Sequence, residues 1–299
     1  MPPAAPAVPR HPPGTDGREP GPPEPDPAAP DRAGLRAHLL ATRLAGTVAT
    51  SREKSLRRHR LFAARDPRVL LGIEPVHDRT PAELLRLVAE ACGVAPEPDR
   101  VSGPEMIDPD RTIEALDAFA DRLRAAAAAR APVLVGTGHP HGLLEFYACL
   151  TAALSAAGCT VLTPAQGRSM DITTRFGLRT HQLSYWRGVA LVRETGARVP
   201  GGERGVHTHS PLPVRVALAA AAEAGTPLPR LVIGDHGWVC GAGQLGIEAI
   251  GPADADDPAP FVGQAEGRVS VVVPLDDSAR SESYRPLTRY VLNRACLSQ

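Results

Sequence analysis

PVLVGTGHPHGLLEFYACLTAALSAAGCTVLT, residues 132–163, decides the fold. Val133 to Gly136 is an apolar run of strand length. Gly136 to Gly142 interrupts it, and Leu143 to Ala157 then reads as a helix that Gly158 closes as a C-cap. Thr160-Val-Leu-Thr163 returns to strand. Strand, helix and strand in this order form the crossover of a parallel pair. Working outward, further strands are expected at Val189–Val192, Leu231–Gly234 and Val269–Pro274. Helices are expected at Pro211–Ala224, ended by Gly225, and at Tyr284–Leu297. The pattern predicts an α/β fold over 132–299, three-layered, with a mostly parallel sheet and helices on both faces.

Residues 31–131 read as a mainly helical region. Asp31 is a candidate N-cap, and Leu35, Leu39, Leu40 and Leu44 follow at helical spacing. Val69–Ile73 is an apolar run that fits either a short strand or a turn of buried helix. Thr80-Pro-Ala-Glu83 spells a helix start, with Thr at the N-cap, Pro at the first position and Glu at the third. Leu84–Cys92 continues it, and Pro109–Ala131 reads as a second, longer helix. Residues 1–30 are a Pro/Ala/Gly run with too little apolar surface to offset its ordering entropy, so disorder is expected there.

Composition narrows the function classes. Lys+Arg and Asp+Glu both total 33, aromatics are 4% of residues, and no basic stripe is interleaved with aromatics, so nucleic acid is not expected as a partner. Five cysteines, odd in number and without a CxxC, argue against a disulfide framework and fit a reducing cytoplasm. No apolar stretch reaches transmembrane length, and the N-terminus lacks the charged-then-apolar order of a signal peptide, so no membrane association is expected.

Half of the ten histidines fall in three short segments, VLVGTGHPHG, GVHTHSP and LVIGDHGW, two of which directly follow strands. Loops after parallel strands converge on one crevice, where ligands bind. In the first segment Gly136, Thr137, Gly138, His139 and His141 offer amides, a hydroxyl and imidazoles to an anion at a helix N-terminus. In the second, His207 and His209 share one face of an extended segment and can reach one ion, while Ser210-Pro211 also resembles a helix start. In the third, Asp235 and His236 end a strand, and Gly241 and Gly243 lie in a glycine-rich run that can form a second anion cradle. Cys240 is a candidate nucleophile without an evident base. Pro200–Gly205 reads as a loop able to act as a lid. Asp254, Asp256 and Asp257 are expected to be solvated in a Pro-flanked loop, while Asp276 and Asp277 follow the last strand. Arg168, Arg175, Arg285 and Arg289 fit either phosphate contacts or surface ion pairs.

The strings LRAHLLATRLAG, LFAARDPRVLLG, PVLVGTGHPHGLL, GDHGWVCGAGQLGIEAIG and RPLTRYVLNR, from about Asp31 to the end, resemble an actinobacterial family labelled generically as phosphatases. The resemblance implies phosphate-ester hydrolysis and assigns no catalytic residues. The DxDx[TV], CxxxxxR and RHG motifs of other phosphatases are missing. GTGHPHG and GDHGWVCGAGQLG also bear a fainter similarity to the loops of D-glutamate cyclases, with His236 in place of a glycine.

The resulting expectation is a phosphatase acting on a small phosphorylated metabolite. Asp235, His236 and His207 carry the chemistry, and Gly136, Thr137, Gly138, His139, His141, Gly241 and Gly243 bind phosphate. Mg, Mn or Zn, if used, would sit on His207, His209 and Asp235. The alternatives are a lyase or cyclase of a small carboxylate and a non-catalytic metabolite sensor.

Overall fold

The structure is a computed structural model of the chain and describes residues 28–174, 177–195 and 205–297. The expected Pro-rich tail lies outside these residues up to position 27, and the Pro200–Gly205 loop lies outside them up to position 204.

Asp31 accepts a hydrogen bond from Gly34 N at 2.7 Å and starts α1 (Arg32–Thr42), which buries Leu35 and Leu39. β1 (Gly46–Ser51) leads directly into α2 (Arg52–Ala63), with Ser51 as the N-cap. Val69 and Leu70 of the Val69–Ile73 run lie on a short helix, α3 (Pro67–Leu70), capped by Asp66 and stopped by Leu71 at a φ of 52°. Thr80 and Glu83 open α4 (Pro81–Cys92) with the reciprocal bonds their spacing predicts: Glu83 N donates to Thr80 Oγ1 at 3.3 Å and Thr80 N donates to Glu83 Oε2 at 2.7 Å. β2 (Pro104–Ile107) pairs antiparallel with β1, and α5 (Pro109–Ala128) follows. This two-stranded sheet was not apparent from the sequence, because its strands are short and half polar.

The second region runs β3 (Pro132–Gly136), α6 (Pro140–Ala156), β4 (Thr160–Val161), β5 (Ser169–Thr174), β6 (Gly177–Trp186), β7 (Val189–Glu194) and α7 (Leu212–Glu223). It continues through β8 (Leu231–Gly234), α8 (Gly237–Gln244), β9 (Ala249–Ala253), α9 (Pro258–Ala265) and β10 (Val271–Pro274), and ends with α10 (Arg285–Arg294). The sheet order is β10-β9-β8-β3-β7-β6-β5, with β4 beside the start of β3. β10, β9, β8, β3 and β7 are mutually parallel, and β6 and β5 add antiparallel strands at one edge. α1, α5, α6 and α10 pack on one another in one layer. α7, α8 and α9 form the other, with α2, α3 and α4 packed on α9. One apolar core runs from Leu35 to Leu297, so the helical N-terminal region and the sheet share it.

Two consequences position the site. From β3 the chain moves through α6 toward β4 and β7, whereas from β8 it moves through α8 and α9 toward β9 and β10. The gap between β3 and β8 is therefore the topological switch point, where the loops part and leave a crevice. The two strands also end level, with Gly136 opposite Gly234. A Cβ on Gly136 would come within 2.4 Å of the Trp238 ring, and one on Gly234 within 2.5 Å of Gly136 O, so the indole closes over both glycines and seals the floor of the crevice. Among the described residues no helix is long and apolar enough to cross a membrane.

Candidate active site

Asp235, at the end of β8, is completely buried. Both of its oxygens accept from Gly138 N at 3.1 Å, and Oδ2 also accepts from His139 Nδ1 at 3.1 Å. Thr137 turns its hydroxyl oxygen to His139 N at 2.9 Å, which shapes the loop. Gly138 and His139 of the GTGHPHG loop thus turn their donors to the Asp235 carboxylate. Gly138 is required by this close approach, because a Cβ there would lie 2.2 Å from Thr208 O. Burial opposes a charge on His139, but the charge of Asp277 and the hydrogen bond and charge of Asp235 outweigh it and raise the imidazole pKa. Burial works against the charge of Asp235 as well. There the bond from His139 and the neighbouring histidine charges prevail and lower its pKa.

His207 and His209 reach the same place. Their ring centroids lie 4.8 Å apart, His207 is 4.1 Å from His139, and His209 stacks on His236 at 3.8 Å and 25°. Ser210-Pro211 starts α7 at the same time, with Leu212 N donating to Ser210 Oγ at 3.2 Å, so the helix-start and crevice roles coexist. Burial and the charge of His139 push His207 down to about 4. Burial, then the charges of His236 and Arg58, hold His209 well below the ordinary imidazole range. Four imidazoles thus offer ring nitrogens within 4.8 Å of one another: His139, His207, His209 and His236.

His236 sits between β8 and α8 with φ 47° and ψ −123°, a backbone conformation that suits glycine. Strain of this kind collects at functional sites. The turn drives the imidazole inward. Nε2 lies 3.0 Å from Asp257 Oδ2 and 3.1 Å from Asp277 Oδ2, and Nδ1 lies 3.7 Å from Asp235 Oδ2. Burial, followed by the charge of His139, holds the ring well below its ordinary pKa.

The acids around it correct the expectation of a solvated loop. Asp254, Asp256 and Asp257 are each 2% exposed, and Asp276 and Asp277 are buried beside them. The segment was obscured because β9 contains Gly251 and Pro252 and does not look like a strand. The structure tolerates Pro252 because the pairing of β9 with β8 involves Ala249 and Ile250, before the proline is reached. β8, β9 and β10 therefore each end in aspartate (IGD, PADADD and VPLDD), a repeated apolar-run-then-Asp pattern that could have flagged all three loops.

The N-terminal region completes the wall, which the sequence did not reveal. Ala49 N donates to Asp276 Oδ2 at 2.9 Å, and the Thr50 hydroxyl donates to Asp254. Lys54 Nζ lies 2.9 Å from Asp256 Oδ2. Arg58 pairs with Asp257, donates from Nε to Asp256 O at 2.9 Å, and brings Nη2 to 3.5 Å from His209 Nδ1. Burial and the neighbouring carboxylates Asp256 and Asp277 push Asp254 well above the usual carboxylate range.

Several other candidates do not join the crevice. Gly241 and Gly243 belong to the body of α8, not to a loop. A Cβ at Gly241 would lie 2.7 Å from Val214 Cγ1, and one at Gly243 would lie 2.4 Å from Arg268 O, so both serve close packing. Cys240 is fully buried in an apolar cluster with Phe62, Leu84 and Val262, and burial pushes its thiol far above its ordinary pKa. That environment suits a packed residue, not a nucleophile. Arg168 pairs with Glu223 at 2.9 Å, on the β5–β6 side of the molecule. Arg175 lies outside the described residues.

A protein of Streptomyces coelicolor (strain ATCC BAA-471 / A3(2) / M145), Phosphatase SCO2771, is 41% identical over 276 residues, covering 91% of this chain and 99% of its own length. The family described as Phosphatase matches residues 30–299, a span that includes every residue of the crevice, and the chain belongs to that family.

Proposed function

We propose that this protein is a metal-assisted phosphatase of small phosphorylated metabolites. The observation that carries the reading is an excess of buried negative charge at the β3/β8 switch point. Asp235, Asp256, Asp257, Asp276 and Asp277 are buried together, beside Asp254, whose raised pKa favours its neutral form. The cationic groups facing them are Arg58, Lys54 and His139. Buried carboxylates without matching cations are costly, and a divalent ion offsets that cost.

The residues present fit such an ion. His236 Nε2, Asp257 Oδ2 and Asp277 Oδ2 converge at separations of 3.0 and 3.1 Å. That is the separation of adjacent ligands around one ion with bonds of about 2.1 Å. Asp277 Oδ2, one of the three converging atoms, is buried without a hydrogen-bond partner among the described residues. His236, Asp257 and Asp277 would hold the ion, and Asp254 and Asp276 could share Asp277 around a second one. Imidazole with carboxylate oxygens suits Mn or Zn, and the all-carboxylate group suits Mg. A bound ion supplies Lewis acidity at the phosphoryl oxygens and a more acidic water.

The chain's own groups supply the rest. Asp235 orients His139 through Nδ1, leaving the Nε2 side to deliver a proton to the departing alkoxide. His139 thus takes the acid's role, and Asp235 acts as a positioning residue. His207, exposed at the mouth, and His209 with Arg58 behind it would meet the phosphoryl group. The test is phosphate release from a panel of phosphorylated metabolites in EDTA and after addition of Mg, Mn or Zn, with metal analysis of wild type and Asp277→Asn. Release restored by a metal, and lower metal content in the variant, are the expected results. A folded protein that releases no phosphate under any of these conditions overturns the reading.

A further inference from the structure

The histidines of the crevice are held as metal ligands are. A neutral imidazole keeps one proton and one lone pair. His139 turns Nδ1 to Asp235 Oδ2 at 3.1 Å, so Nε2 is the nitrogen left for a ligand. His236 faces two carboxylate oxygens from Nε2, at 3.0 and 3.1 Å. Carboxylates cannot donate, so with no ion between them the proton belongs on Nε2 and the lone pair on Nδ1. That Nδ1 is buried and has no hydrogen-bond partner among the described residues. A carboxylate behind the ring is the arrangement that orients metal-ligating histidines.

His207 and His209 bring two more rings to the same place. One nitrogen from each of the four imidazoles lies within 4.8 Å of the others. Burial and neighbouring charge keep His207, His209 and His236 neutral at pH 7, and the neutral ring is the form that takes a metal. Arg58, whose Nη2 lies 3.5 Å from His209 Nδ1, is neutralised by Asp257. His207, exposed at the mouth, leaves a path for an ion to enter.

An all-nitrogen set differs in kind from the carboxylates beside it. Imidazole suits Ni, Cu and Zn, whereas carboxylate oxygen suits Mg and Mn. His236 belongs to both groups, and its one lone pair serves one of them at a time: at Nε2 with Asp257 and Asp277, or at Nδ1 with the other imidazoles. We propose that His139, His207, His209 and His236 form a second ion site, selective for a borderline divalent ion, that competes for His236 with the ion at Asp257 and Asp277. The consequence rests on the phosphatase reading. An ion on the imidazoles displaces the Nε2 proton of His139 and occupies the rings that meet the phosphoryl group, so its binding stops hydrolysis.

The test is to titrate manganese-loaded protein with Ni²⁺, following free manganese by electron paramagnetic resonance and nickel uptake by calorimetry. Wild type should bind nickel and release manganese as it does so. His207→Ala, at the exposed mouth, should weaken nickel binding by about tenfold or more, and His207→Ala/His209→Ala by about a hundredfold or more, since even the outer partners of a ligand are worth about 10–100-fold. Manganese binding should be unchanged in both. Phosphate release by manganese-loaded wild type should fall in proportion to bound nickel. The site is overturned if nickel does not bind, moves no manganese, binds both variants as it binds wild type, or is lost instead in His77→Ala/His141→Ala. Nickel held on the imidazoles with phosphate release intact overturns the inhibitory role and leaves the phosphatase reading standing. A protein that hydrolyses no ester fails the phosphatase reading, while the nickel and manganese measurements decide the site by themselves.

Discussion

Two clusters of buried charge lie within two turns of each other on α2, and they handle burial in opposite ways. Arg52 is completely buried, and each nitrogen of its guanidinium donates: Nε to Arg100 O at 2.9 Å, Nη2 to Glu97 O at 2.7 Å, and Nη1 to Glu105 Oε1 at 3.1 Å. Arg100 Nη1 lies 3.8 Å from the other oxygen of Glu105, so here cations are not outnumbered by acids. Lys54 and Arg58, farther along the same helix, face a crevice where aspartates outnumber cations. The first cluster is balanced in charge within the protein and anchors α2 to the loop before β2. The second is left unbalanced, as a site built to receive a cation would be.

This contrast can be broken most decisively at Asp277. Asp277→Asn should lower phosphatase activity by about a thousandfold, roughly 4 kcal/mol of transition-state stabilisation. Its urea midpoint in EDTA should stay the same or rise, because removing one of several crowded carboxylates relieves repulsion. A clear fall in that midpoint would show that the crevice is structurally balanced after all. At the other cluster the expected effect is on stability. Arg52→Ala strands Glu105 in the interior and should cost about 3–5 kcal/mol in urea unfolding, even with metal present. If Arg52→Ala matches wild type, the cluster contributes no net stability.

A subtler probe lies between the two clusters. His59 is fully buried, neither ring nitrogen has a hydrogen-bond partner among the described residues, and burial with the Arg52 charge pushes it down to about 4. The unfolded chain takes up this proton near pH 6.5, whereas the folded one resists until about pH 4. Its contribution is therefore fully present above pH 6.5 and is lost as the pH falls toward 4, by at most about 3 kcal/mol. His207, His209 and His236 act with the same sign. His59→Leu should flatten the fall in urea midpoint between pH 7 and 5 without removing it, and an unchanged slope would assign the whole effect to the crevice.

How much of this was legible follows from where each signal lies. β3, α6 and β8 were readable because apolar runs and caps are local properties. The Thr80–Glu83 capping box was readable because both halves lie within one turn. Asp235, His207 and His209 stood out because histidines clustered beside strand ends. Arg58 could not be recognised this way, since it sits in a strongly charged helix and meets Asp257 199 residues later. Asp254, Asp256 and Asp257 were hidden by a strand containing glycine and proline. Gly241 and Gly243 were misread because a glycine needed for packing and one needed for an anion look alike in a string.

The docking of β1 against Asp276 also bears on biosynthesis. Asp276 N donates to Leu44 O at 2.9 Å and Ala49 N donates back to Asp276 Oδ2, a pairing of residues 227 positions apart, while His38 Nε2 lies 2.7 Å from Ser283 O, 245 positions on. During synthesis, residues 46–51 emerge long before their partner exists. The crevice can therefore assemble only after nearly the whole chain has left the ribosome, among the last contacts to form. A nascent chain stopped before β10 would lack both Asp276 and Asp277, so an incomplete product would have a crevice without two of its buried carboxylates.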